Sequence, residues 1–116
     1  MKKIYHLSTC STCQRIIKEL GLKQKGFDFQ DIKTEKITMQ QLDEMIKMAG
    51  SVEALFSTKA IKYRELGLKD KKLTDKEIKN YILGEYTFLK RPVIIIGSKI
   101  FIGSSLSSIS AVKAAL

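Results

Sequence analysis

The sequence has few of the residues that build metal centres. Its 116 residues include two cysteines, one histidine and no tryptophan. A structural zinc site takes four cysteine or histidine ligands, and only Cys10, Cys13 and His6 are present. We therefore expect no metal site and no bound cofactor, which leaves the cysteine pair for other chemistry.

Long apolar runs are also absent. No stretch approaches the roughly 20 apolar residues that cross a bilayer, and residues 1–10 contain no leader-like apolar segment. We therefore expect a cytoplasmic protein with no membrane partner. In a reducing compartment a CxxC pair is redox-active or metal-binding more often than structural.

Charges of both signs are spread along the chain, with an excess of basic residues. There are 21 lysines and arginines against 12 acidic residues, a formal net charge of +9, and no block of about five like charges. The excess suits either an acidic partner or a solvated, lysine-rich surface. Because no arginine-rich patch with interleaved aromatic residues is present, we expect the solvated surface and no direct contact with nucleic acid.

The residues that carry chemistry are Cys10-Ser11-Thr12-Cys13, between the first apolar segment and the first helical pattern. A thiol placed there faces the N-terminus of a helix, where free backbone N–H groups and the helix dipole favour a thiolate over a thiol. A second thiol one turn later can close a disulfide. Cys10 is therefore the predicted reactive thiol. Cys13 is either its disulfide partner or a small, half-buried residue on the first helical turn.

Hydrophobic periodicity predicts an α/β fold that begins with a β-α-β unit. Strands are expected at 3–7 and 27–32, on either side of a helix from about Thr12 to about Lys25. Such a unit has parallel strands and a right-handed crossover.

Three further features complete the pattern: a helical insert, a β-hairpin and a final helix. They are expected at about 38–84 for the insert, 93–96 and 99–102 for the two hairpin strands, and 103–116 for the helix. Thr38 and Thr74 are expected N-caps within the insert, and Gly97-Ser98 is the hairpin turn signal. The order β-α-β, helices, β-β-α predicts one domain over 1–116, with a mixed four-stranded sheet and helices on its faces.

Pro92 is the only proline, and it opens the first hairpin strand. A trans bond is the commoner form of an X–Pro peptide, whereas a cis proline beside a CxxC pair is typical of thioredoxin-like folds. The element order and the CxxC pair together favour a cis peptide before Pro92.

Four segments together resemble a known family. They are residues 5–15 around the CxxC pair, 63–68 in the insert, 89–93 at the proline and 102–104 after the hairpin. These segments are similar to those of the glutaredoxin-coupled arsenate reductase and Spx family (ArsC-like), whose thioredoxin-like fold carries a helical insert. The resemblance covers essentially the whole chain.

The resemblance implies roles for individual residues. The catalytic thiol of the family falls on Cys10, and one of the three arginines that hold the oxyanion in its arsenate reductases falls on Arg91. The other two fall near Ser57-Thr58-Lys59 and Gly103-Ser104, where this chain has no arginine. A lysine does not reproduce the bidentate fork of an arginine, so we expect weak oxyanion binding.

Four other residues are candidates for stabilising the substrate or the thiolate: Thr12, Arg15, Lys59 and Pro92. Arg15 lies one helical turn beyond the CxxC pair and is equally well explained as a solvated side chain. His6, at a strand end, is expected to be packed or partly exposed rather than to act as a base.

The resemblance implies, first, a thiol–disulfide oxidoreductase of arsenate-reductase type. Cys10 would be its nucleophile, Cys13 would resolve the intermediate, and Arg91 would stabilise an anionic substrate or the thiolate. The substrate would be a small oxyanion or a thiol compound. Electrons would come from glutathione with glutaredoxin, or from thioredoxin.

Two alternatives remain open, and a monomer is expected in every case. The first alternative is an Spx-like transcriptional regulator, whose CxxC pair switches an interface with the C-terminal domain of the RNA polymerase α-subunit. The second is a thioredoxin-fold domain without redox activity.

Overall fold

The structure, a computed structural model, describes residues 1–116. In chain order its strands and α-helices are β1 (Lys2–His6), α1 (Ser11–Glu19), β2 (Asp28–Asp31), α2 (Met39–Ala49), α3 (Ile61–Glu65), α4 (Asp75–Gly84), β3 (Val93–Ile96), β4 (Lys99–Ile102) and α5 (Leu106–Ala115). Short 3₁₀ turns lie between several of these elements. No helix is long and apolar enough to span a membrane.

The four strands form one mixed sheet in the order β2-β1-β3-β4. β1 pairs with β2 in parallel, with Ile4 opposite Phe29. β1 also pairs with β3 in antiparallel fashion, with Tyr5 opposite Val93, and β3 continues into the hairpin with β4. The predicted α/β class, mixed four-stranded sheet and hairpin are confirmed, and the fold is thioredoxin-like.

Helix α1 differs from the prediction at both ends. Cys10, rather than Thr12, is its N-cap residue, and the helix ends at Glu19 instead of near Lys25. The early end has a local cause, since Gly21 adopts a left-handed backbone with φ of 61° and its N–H donates to the carbonyl of Lys18. A residue in that conformation closes a helix, and glycine adopts it without steric cost. A 3₁₀ turn, Leu22–Gln24, follows.

The core of the sheet-bearing unit lies where β1 and β3 meet α1 and α5. Its buried members are Ile4, Ile16, Ile17, Leu20, Leu22, Phe27, Ile94 and Val112. Burying each such aliphatic or aromatic side chain contributes about 1.5–3 kcal/mol. This core therefore holds α1, the helix that begins at the CxxC pair, against the sheet through Ile16 and Ile17.

The chain divides into two compact units, one formed by Met1–Glu35 with Arg91–Leu116 and the other by Lys36–Lys90. The second unit contains the helices of the predicted insert. Thr38 and Thr74 are N-caps, as expected, with Thr38 Oγ1 accepting from the N–H of Gln41 and Thr74 Oγ1 accepting from that of Glu77. Ring contacts of Phe56 with Tyr63 and Phe88, and of Phe88 with Tyr81, fill its interior. The single-domain organisation stays a prediction.

Candidate active site

A tight turn connects β1 to α1 and positions the first cysteine. The N–H of Cys10 donates to the carbonyl of Leu7 at 3.0 Å, and the carbonyl of Cys10 accepts from the N–H of Gln14 at 3.1 Å. Cys10 thus has the extended backbone of an N-cap residue, while its carbonyl already belongs to the helix. Its side chain lies beside the free N–H groups of the first turn, those of Thr12 and Cys13.

Burial is the largest single influence on the pKa of Cys10, and it acts to raise that pKa. Backbone and side-chain hydrogen bonds from Cys13, a backbone hydrogen bond from Thr12 and the charge of Arg91 outweigh it, so the pKa is lowered. Cys10 is also partly exposed and not disulfide-bonded. A partly exposed thiol with a lowered pKa is a competent nucleophile.

Cys13 has the opposite character. Its side chain is wholly buried, with 0% exposure. Burial raises the pKa of Cys13 to about 11, and the neighbouring Cys10 adds to the increase through a hydrogen bond and its charge. A backbone hydrogen bond from Leu7 and the charge of Arg91 act against this increase. Cys13 is therefore a protonated thiol that donates toward Cys10 at neutral pH.

Arg91 lies beside the same turn. The antiparallel pairing of β1 with β3 places Tyr5 opposite Val93. Arg91, two residues before Val93, therefore lies toward the end of the sheet at which β1 leads into the cysteine turn, and its charge acts on Cys10. The Arg91–Pro92 peptide is cis, as expected. The carbonyl of Pro92 accepts from the N–H of Gly103 at 2.9 Å, so the loop that precedes α5 also belongs to this edge of the sheet.

Asp31, at the end of β2, secures the turn from the other side. Its Oδ1 accepts from the backbone N–H groups of Ser8 at 3.4 Å and Lys33 at 3.2 Å. The Ser8 hydroxyl is the largest cause of the lowered pKa of Asp31, followed among the lowering influences by those two N–H groups. Sequence reasoning did not identify Asp31 or Ser8. The signal was available, because the carboxyl ends of paired parallel strands lie at one edge of a sheet.

His6 is packed, as expected, and lies directly opposite Asp31 in the strand register. Its ring meets Phe29 edge-on, with 5.6 Å between ring centroids, and its Nδ1 is buried without a hydrogen bond. Burial is the main cause of the lowered pKa of His6, while the charge of Asp31 opposes it. The imidazole is therefore neutral at physiological pH.

The other sequence candidates divide into two groups. Thr12 lies between the two cysteines, in the first turn of α1, and Pro92 immediately precedes β3. Arg15 lies on the exposed side of α1 and pairs with Glu19 at 3.6 Å, which favours its interpretation as a solvated side chain. Lys59 belongs to the other compact unit, in an exposed loop before α3, and its role stays a prediction.

The chain is similar to the ArsC family over residues 5–112. That match spans nearly the whole sequence and includes both cysteines and Arg91, and the chain belongs to the ArsC family. The membership supports a thiol oxidoreductase-like function for the CxxC pair. No group of three or more His, Cys, Asp or Glu side chains is placed to hold a metal ion.

Individual relatives agree with this assignment. The uncharacterised protein YusI of Bacillus subtilis (strain 168) is 26% identical over 102 residues, covering 85% of this chain and 86% of YusI. The solution structure of SACOL0876 from Staphylococcus aureus COL is 30% identical with a TM-score of 0.77, covering 96% of this chain and 97% of that one. The crystal structure of a "possible arsenate reductase" from Streptococcus mutans UA159 is 29% identical with a TM-score of 0.74, covering 95% and 98%.

Proposed function

We propose that the protein is a thiol–disulfide oxidoreductase in which Cys10 is the nucleophile and Cys13 the resolving thiol. The observation that carries this proposal is the contrast between a partly exposed Cys10 at the N-cap of α1 and a wholly buried Cys13 one turn later. The two pKa values follow this contrast, lowered at Cys10 and raised to about 11 at Cys13. Two cysteines in one structural role would not differ in this way. The difference assigns attack to the first thiol and keeps the second protonated until it is needed.

The reaction proceeds in two exchanges. The Cys10 thiolate attacks one sulfur of a disulfide substrate, the substrate S–S bond breaks, and one half leaves as a thiolate. Cys13 then passes its proton to the released thiolate and attacks Sγ of Cys10, which releases the second half as a thiolate and forms the Cys10–Cys13 disulfide. The substrate gains two electrons and the cysteine pair loses them. An external thiol reductant, either glutathione with glutaredoxin or thioredoxin, restores the pair.

Arg91 supports the first exchange because its charge favours the thiolate of Cys10. The guanidinium also suits a small oxyanion, the substrate class of arsenate reductases. Because the two other arginine positions of the family, around Ser57-Thr58-Lys59 and Gly103-Ser104, carry no arginine in this chain, we propose weak oxyanion affinity alongside preserved thiol reactivity.

The second function that the cysteine pair supports is an Spx-like redox switch, in which the Cys10–Cys13 disulfide changes an interface with the C-terminal domain of the RNA polymerase α-subunit. In such a switch the cysteine pair is oxidised to the same disulfide, but no substrate is turned over. Binding of that purified domain by the oxidised protein and not by the reduced protein would favour the switch. Equal or absent binding in both states would favour the enzyme.

Turnover of a small neutral disulfide, 2-hydroxyethyl disulfide, tests the oxidoreductase directly. NADPH consumption is followed with glutathione, glutaredoxin and glutathione reductase, and separately with thioredoxin and its reductase. We expect the wild type to increase consumption with at least one donor and Cys10→Ser to abolish the increase. Cys13→Ser should accumulate a mixed disulfide on Cys10, visible by mass spectrometry. A Cys10→Ser variant with wild-type turnover would contradict the proposal.

A further inference from the structure

A cleft of about 300 Å³ lies along α1 and is lined by Gln14, Ile17, Lys18, Lys23 and Gln24. Ile17, which is buried, belongs to the core, while Lys18, Lys23 and Gln24 are exposed. Helix α1 and the 3₁₀ turn that follows it thus form the walls. None of the residues identified above as candidates for the chemistry lines this cleft.

The lining has the chemistry of an anion site. Two ammonium groups and two carboxamides supply hydrogen-bond donors, and no carboxylate is among the lining residues. The nearest acidic residue on α1, Glu19, pairs with Arg15 at 3.6 Å. A carboxylate-bearing ligand would therefore meet two unlike charges and no like charge in the cleft.

The cleft is within reach of the nucleophile. Cys10, Gln14 and Lys18 are spaced by four residues and so follow one face of the helix. At 1.5 Å per residue, Lys18 lies about 12 Å along the axis from Cys10, close to the length of a small peptide. The amide Nε2 of Gln14 donates to the carbonyl of Ser8 at 3.3 Å, which joins the cleft wall to the nucleophile turn.

Lys23 belongs to the 3₁₀ turn Leu22–Gln24, which follows the C-terminal end of α1. The lowered pKa of His6 is caused mainly by burial, but the charge of Lys23 also contributes. Because Lys18 and Lys23 both line the cleft, their two ammonium groups can act on one ligand.

We propose that this cleft binds the carboxylate end of a small anionic disulfide whose sulfur is attacked by Cys10. The inference rests on the proposed oxidoreductase function and adds its substrate class. The Cys10 thiolate bonds to the sulfur of the half held in the cleft, the disulfide breaks, and the other half leaves as a thiolate. Lys18 and Lys23 position the substrate and take no part in the electron transfer.

The first experiment compares two disulfides with the reduced protein. Oxidised glutathione carries carboxylates and 2-hydroxyethyl disulfide carries no charge, and the readout is the ratio of their second-order rate constants. Two exposed charge contacts predict that the double variant Lys18→Gln/Lys23→Gln lowers the ratio about fivefold. The control Lys99→Gln/Lys113→Gln removes two exposed lysines elsewhere in the same unit and should keep the wild-type ratio. Added salt should lower the wild-type ratio as well.

The second experiment needs no reaction. S-methylglutathione keeps the carboxylates but has no reactive sulfur, and its binding is followed by NMR at the side-chain amides of Gln14 and Gln24. We expect shifts in the wild type that are lost in the cleft variant and kept in the control variant. Absent shifts, or an equal fall of the rate ratio in both double variants, would overturn the cleft proposal. Clear shifts without reaction of either disulfide would instead overturn the oxidoreductase function and leave an anion site.

Discussion

Cys13 is wholly buried one helical turn after Cys10, and the side chains of the two residues are hydrogen-bonded to each other. The buried thiol supplies the proton of that bond, and the partly exposed sulfur receives it. The bond stabilises the thiolate of Cys10 and at the same time raises the pKa of Cys13, which accounts for the division of roles between two identical side chains.

Mild oxidation of the protein should form an intramolecular disulfide between Cys10 and Cys13. The two thiols are three residues apart at a helix start, and their side chains already interact, so little backbone movement is required. Mass spectrometry of the oxidised monomer should show the loss of two hydrogens, reversed by a thiol reductant. The Cys13→Ser variant should not show that loss. Intermolecular dimers as the only product would be incompatible with this arrangement.

Replacement of Arg91 should separate its two roles. Arg91→Ala should raise the pKa of Cys10, because a positive charge that favours the thiolate is removed. Arg91→Lys keeps the positive charge and should leave the pKa of Cys10 close to its wild-type value, but it loses the bidentate geometry of the guanidinium. Both variants should therefore weaken oxyanion binding by about tenfold. Alkylation rates against pH measure the first effect, and arsenate competition measures the second.

Arg15→Lys is the matched control, because it makes the same replacement at a solvated arginine of the same unit and should change neither quantity. An Arg91→Ala variant with unchanged Cys10 reactivity would rule out the assigned role. Efficient arsenate turnover by the wild type would show that one arginine suffices to hold the oxyanion.

Asp31 should make stability depend on pH in the acid range. Its pKa is lower in the folded chain than in the unfolded chain, first because of the Ser8 hydroxyl. Its contribution is therefore complete above the unfolded pKa of about 3.9 and is lost as the pH falls through the folded pKa. Asp31→Asn should flatten this dependence, and Asp31→Ala should cost about 0.5–1 kcal/mol at neutral pH.

Urea unfolding at several pH values measures the Asp31 effect, and Asp70→Asn is a control that makes the same replacement at an exposed carboxyl. The alkylation rate of Cys10 should also fall in Asp31→Ala, because the N–H of Ser8 loses its acceptor and the nucleophile turn loosens. A variant with wild-type stability across the acid range would contradict the role given to Asp31.

Most of the architecture could be predicted from the sequence because its signals are local. The Thr38 and Thr74 capping boxes, the Gly97-Ser98 turn and the alternation in β2 each act within a few residues. The end of α1 was missed because Leu20 and Leu22 continue the apolar pattern, while the left-handed backbone of Gly21 stops the helix. Hydrophobic periodicity does not reveal a left-handed backbone conformation at a single glycine.

The site could be predicted only in part. Cys10, Cys13 and Arg91 stood out because their residue types and positions have few structural explanations. Asp31 did not stand out, because an aspartate at the end of a strand is common. Its contact with Ser8 joins residues 23 apart in the sequence and depends on the pairing of β1 with β2. The burial difference between the cysteines also depends on packing that no local pattern encodes.

The central claim is that Cys10, and not Cys13, is the activated thiol. It is tested most directly by iodoacetamide labelling of the reduced protein across pH, with each cysteine quantified by peptide mass spectrometry. We predict that Cys10 is alkylated first, with an apparent pKa below that of a free cysteine, and that Cys13 stays unlabelled at neutral pH. Faster labelling of Cys13, or two thiols that both titrate like free cysteine, would contradict the account.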